Sequence, residues 1–201
     1  MKKIFLFLAV SCFLVAPVMA SELLDEVNAK FTYQGEPIHP RLIHEFSNWL
    51  SDGVAPVVTT VDLMAAFNAN EYPQGEIKKR EDWWYSEKEE MDGDIRLYES
   101  FDYHWLGKMA NNIHVVETGS SGGGSGFFMD LMFIKFSDGE ILVENTKEKQ
   151  LLMTIVGIHS LGDRYDGEIK VYEDRVLIPA STNQYGGGST EKDVELTFPV
   201  E

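Results

Sequence analysis

From Asp94 onward the chain is written in short apolar segments separated by turn residues, and this period most restricts its fold. The alternation predicts strands near 94–104, 112–118, 127–136, 141–146, 151–158, 168–172, 175–179 and 194–200. Ser137-Asp138-Gly139 and Glu173-Asp174 read as tight hairpin turns between them. Phe127 to Phe136 has only Asp130 and Lys135 as polar members. Its length, between Gly126 and Asp138-Gly139, suits a central strand better than a buried helix.

One earlier segment has a helical period instead. In 40–52, Leu42, Ile43, Phe46, Trp49 and Leu50 form one apolar stripe. Pro40 suits a first helical position and Gly53 a terminator. Residues 21–35 read as a polar lead-in, and Pro56 to Leu63, rich in Val and Thr, as a strand. The expectation is a mainly β (α+β) fold. It is an antiparallel β-sandwich or open barrel with one N-terminal amphipathic helix.

The first twenty residues stand apart. Lys2 and Lys3 precede an apolar run from Ile4 to Val15, and Pro17 and Val18-Met19-Ala20 close it. This is the pattern of a signal peptide, with cleavage expected between Ala20 and Ser21 and export to the periplasm or outside the cell. The run is short for an anchor. Cys12 offers a competing lipoprotein reading, but Phe13-Leu14-Val15 continues the apolar run past it.

Cleavage after Ala20 removes Lys2, Lys3 and no acid, so 181 residues remain and the formal charge moves from −16 to −18. It also removes the single cysteine, leaving no disulfide, thiol nucleophile or thiolate metal site. Residues 21–201 are long enough for one domain with its own core. The acidity argues against nucleic acid and anionic membrane surfaces as partners. No integral span is expected after cleavage, and a protein, a glycan or a cation remains open as partner.

Two loops stand out. Residues 119–126 are all Gly or Ser. They lack the lysine and following helix of a phosphate cradle. Gly119-Ser120-Ser121-Gly122-Gly123 matches G-x-S-x-G, but a nucleophile elbow needs a strand-turn-helix. The remaining readings are a surface connection and a close-approach loop in which Ser121, Gly122, Gly123 and Gly124 bring backbone amides to a ligand. The second loop holds Asp163, Arg164 and Asp166. Its carboxylates suit Ca²⁺, though not at EF-hand spacing, or an acid–base pair, or local turn pairing. No other cofactor is evident.

If every predicted turn reverses the chain, 119–126 and 162–166 lie at opposite ends. Asp163, Arg164 and Asp166 then share an end with Tyr185, Gly186 and Gly187 as a composite ligand site.

Trp83-Trp84-Tyr85, among nine acids and two bases in 81–102, reads as core anchors or as a glycan platform. The five histidines show no metal-ligand spacing, and no metal site is assigned. The expected function is a non-catalytic binding domain of an exported, bacterial-type protein. The alternatives are a carboxylate-based hydrolase acting on glycans and a structural or assembly component of the cell envelope.

Overall fold

The computed structural model describes residues 20–47, 60–68, 76–92, 94–181 and 192–198. Residues 1–19, 48–59 and 182–191 are outside this set, so the leader, the end of the 40–52 helix and Tyr185, Gly186 and Gly187 lie outside the described residues.

The chain opens with α1 (Ala20–Lys30), β1 (Thr32–Tyr33), β2 (Glu36–Pro37) and α2 (Pro40–Ser47). It continues through β3 (Thr60–Asp62), α3 (Leu63–Asn68) and β4 (Lys78–Arg80). The long strands follow: β5 (Trp83–Asp92), β6 (Ile95–Lys108), β7 (Ile113–Gly122), β8 (Phe128–Val143) and β9 (Thr146–Asp163). The last strands are β10 (Lys170–Val171), β11 (Arg175–Ile178) and β12 (Val194–Thr197).

Seven strands form one antiparallel sheet in the order β3-β9-β8-β7-β6-β5-β4, and β10-β11-β12 form a second, smaller one. The mainly β, α+β expectation is what the structure shows. The helical share is larger than one helix: the lead-in 21–35 contains α1, and its Leu23, Val27 and Phe31 are buried four residues apart. Phe31 ends that helix with φ 56°, its N–H still reaching the Val27 carbonyl at 3.0 Å. Asp62 caps α3 through the Met64 N–H at 3.0 Å and also accepts the Leu151 N–H of β9 at 3.3 Å.

Each face of the large sheet has its own core. On one face Phe101, Tyr103, Val116, Met132, Ile134 and Phe136 pack with residues of α1, α2 and α3. On the other, Val115, Met129, Leu131 and Phe133 pack with Val176 and Ile178 of the small sheet. Strand alternation makes this division, since neighbours along β6 and β7 point to opposite faces. A bulge between Trp105 and Gly107, where φ is 144° at the glycine, resets the β6–β7 register.

One expected turn is absent. Ser137-Asp138-Gly139 lies within β8, paired to Leu152, Leu151 and Gln150. The reversal occurs at Glu144-Asn145, both left-handed at φ 48° and 69°, between the paired Val143 and Thr146. That is a two-residue hairpin loop of the primed kind. The two segments read as separate strands, 127–136 and 141–146, are therefore mostly one. β8 and β9 run on past the last β7 pair, Ile113↔Lys135, and beyond the last β3 pair, Asp62↔Leu152, they continue as a two-stranded arm. Ile141, Leu142 and Val143 are exposed near its tip.

Candidate functional site

Losing one reversal changes which loops share an end of the sheet. β7 leaves and β8 enters at the same end at which β9 finishes, and Phe128 pairs with Asp163. The Gly/Ser segment and the 163–166 turn are thus neighbours, and the opposite-ends expectation is overturned. The Asp163 carboxylate accepts the Phe127 N–H at 2.8 Å, and the Arg164 N–H donates to the Phe127 carbonyl at 2.8 Å. Much of the Gly/Ser segment is also strand, because Gly119 to Gly122 are the last residues of β7.

Beside this clasp, on the face that carries the small sheet, lies a cleft of about 310 Å³. Its floor follows from register. Tyr85, Asp102 and Gly119 sit in one row across β5, β6 and β7, and Glu87, Ser100 and Ser121 in the next row on the same face. Phe127 and Arg80 complete the lining. Glycine at 119 makes room for the Phe127 ring, which a Cβ there would overlap unless the ring moved.

Asp102 is the unusual group. Its side chain is 3% exposed, and Oδ2 accepts from Arg80 Nη2 at 3.1 Å. Oδ1 is buried and accepts no hydrogen bond of good geometry among the described residues, although the Ser100 hydroxyl lies close enough to the carboxylate to oppose the rise of its pKa. Burial pushes its carboxyl up to about 6, against the opposing pull of the Arg80 guanidinium and, after it, the Ser100 hydroxyl. Glu87 adds to the rise through like charge. Glu87 is itself held by Lys78 at 2.7 Å. The guanidinium of Arg80 stands 5.4 Å and the Lys78 ammonium 5.9 Å from the centre of the Tyr85 ring.

Towards the small sheet, His104 and Glu117 face each other at 3.9 Å, with the Trp83 ring 5.5 Å from that of His104. Tyr165 packs here. Burial, then the Glu117 charge, pushes its hydroxyl up to about 12. That hydroxyl donates to the Pro179 carbonyl at 2.8 Å.

The sequence-derived residues are thus divided. Ser121 lines the cleft, Gly122 ends β7, and Gly123 turns with φ 84°, followed by Gly124. Asp163 and Arg164 brace Phe127, and they also pair with each other at 2.9 Å. Both oxygens of Asp163 are thereby engaged by protein donors. Asp166 accepts from Ser181 Oγ at 2.9 Å. No group of three His, Cys, Asp or Glu side chains converges as a metal site among the described residues.

The motif readings are resolved in the same way. Ser121 lies within β7, paired to Ser100 and followed by another strand, without the helix a nucleophile elbow requires. Trp83 and Trp84 pack against the two cores on opposite faces, while Tyr85 faces the cleft. His104 and His114 pair with Glu117 and Lys108 respectively and do not meet.

Sequence reasoning missed Arg80, Glu87, Ser100, Asp102 and Phe127. The available signal was Ser100-Phe101-Asp102-Tyr103-His104, where polar residues alternate with large aromatics and so share one face. Comparison with family models, curated proteins and solved structures finds no match. No helix among the described residues is long and apolar enough to cross a membrane.

Proposed function

We propose that the chain is an exported, non-catalytic binding protein that seats a small polar ligand in the cleft over Asp102. The observation that carries this reading is the Asp102 carboxylate. One of its oxygens is buried without a hydrogen bond of good geometry, and the residue lines the cleft beside Ser100. Leaving such a group unsatisfied is costly, and a ligand donor would complete it. Export rests on the leader pattern alone, and mass spectrometry of the mature N-terminus tests it.

Binding to the folded state raises the unfolding midpoint by mass action. Unfolding of the exported protein with Ca²⁺, Zn²⁺ and a panel of glycans should give a shift that Asp102→Asn removes. A shift that survives Asp102→Asn counts against the cleft.

A hydrolase reading has one observation in its favour. Asp102, raised to about 6, and Glu87 face one cleft with aromatic walls, as glycoside hydrolysis requires of a carboxylate pair. Each carboxylate is nevertheless tied to a base, Asp102 to Arg80 and Glu87 to Lys78, which favours fixed acceptors over proton transfer. Release of reducing sugar from a glycan panel, lost in Glu87→Gln, would establish hydrolysis in place of binding.

A further inference from the structure

Resting on the cleft reading, we infer that the ligand presents a neutral vicinal diol, the edge of a sugar ring, to Asp102 and Arg80. The charges facing the cleft cancel in pairs: Lys78 with Glu87 at 2.7 Å, Arg80 with Asp102 at 3.1 Å. A cationic ligand would compete with the two bases already lying against the Tyr85 ring. An anionic one would approach the Asp102 and Glu87 carboxylates. A hydroxyl escapes both penalties because it donates and accepts at once.

The polar inventory fits that chemistry. Asp102 Oδ1, when ionised, only accepts, and the Arg80 guanidinium only donates. One hydroxyl of a diol can accept from Arg80, whose side chain is 68% exposed, while its neighbour donates to the Asp102 carboxylate where that residue lines the cleft. Ser100 and Ser121 add hydroxyls that serve either role. Phe127, held over Gly119, supplies an apolar wall for the C–H face of the ring. The cleft's 310 Å³ is at the small end of ligand sites, which suits a short glycan or its terminus.

The test is calorimetric titration of the full exported protein. The neutral probes are methyl glucoside, methyl galactoside and methyl mannoside. The charged probes are glucuronate, glucosamine and inorganic phosphate. The inference expects a neutral glycoside to bind, with about tenfold or greater weakening in Asp102→Asn, the usual worth of a hydrogen bond to a charged group. Arg80→Gln should weaken it similarly; because it also removes the partner of the buried Asp102 carboxylate, its unfolding midpoint is measured alongside so that lost binding is read on folded protein. Ser121→Trp should fill the cleft and abolish binding.

Binding of charged probes alone, lost in Ser121→Trp, overturns the diol and leaves the cleft reading standing. A glycoside that binds Ser121→Trp as well as the wild type overturns both. Glycoside binding indifferent to Asp102→Asn and Arg80→Gln, or no glycoside binding at all, overturns the diol.

Discussion

The carboxylate of Asp163 accepts the backbone N–H of Phe127 at 2.8 Å, tying the end of β9 to the residue that leads into β8. Together with the Arg164 N–H on the Phe127 carbonyl, it holds both backbone polar groups of the residue that walls the cleft. Asp163→Ala strands that N–H and should cost about 1–2 kcal/mol of stability. Asp163→Asn keeps an acceptor oxygen and should cost clearly less. Urea unfolding of the three proteins checks the order.

The contact between Phe127 and Gly119 leaves no room for a methyl group. Gly119→Ala should cost about 1–3 kcal/mol, as overpacking does. Removing the obstructing ring relieves the overlap, so Gly119→Ala added to Phe127→Ala should cost less than the sum of the two alone. A double-mutant cycle on unfolding free energies reads the difference. Strict additivity would mean that the two residues do not touch in solution.

Asp102 makes the protein less stable as the pH rises. Its folded carboxyl titrates at about 6 and an ordinary one at 3.8. Between those values the folded chain keeps a proton that the unfolded chain has lost, and stability falls with rising pH. The full penalty, up to roughly 3 kcal/mol, applies above pH 6. Asp102→Asn should therefore be more stable than the wild type at pH 8 and no more stable below pH 3.8. Thermal unfolding across that range measures it.

His114 acts with the opposite sign. It is fully buried among the rings of Phe31, Trp105 and Phe136, at 5.4, 6.0 and 5.1 Å. Burial, then the charge of Lys108, lowers it from 6.5 to about 3. The unfolded chain takes up that proton first, so stability present above pH 6.5 is lost as the pH falls towards 3. His114→Phe should flatten this acid limb, although it gives up the 3.4 Å contact with Asn28. In the wild type the two slopes oppose each other between pH 3.8 and 6, and Asp102→Asn should steepen what His114→Phe flattens.

The β character was legible because β6 and β7 alternate cleanly between two faces. The position of the hairpin was not. Ser137-Asp138-Gly139 has conventional turn chemistry but continues as strand, while the real turn places Glu144, a residue that seldom adopts positive φ, at 48°. That one displaced reversal carried the error into the loop arrangement. α1 was hidden because its large apolar residues, Leu23, Leu24 and Val27, are few and lie among acids and other polar residues. Asp102 was one of nine acids in 81–102, and only the pairing of β5, β6 and β7 distinguishes it from its solvated neighbours.

The bulge at Trp105–Gly107 separates the stretch of β6 that carries Asp102 from the stretch that leads into the 109–112 turn. A residue added between Ile95 and His104 would exchange the two faces, turning Asp102 towards the helices and Phe101 into the cleft. A residue added beyond the bulge, near the turn at 109–112, leaves the cleft face as it is. That hairpin has its own constraint: Met109 and Ile113 are buried in the core shared with the small sheet, and the Ala110 N–H donates to the Glu173 carbonyl at 2.9 Å. A change of length there disturbs the seating of the small sheet and not the row of side chains around Asp102.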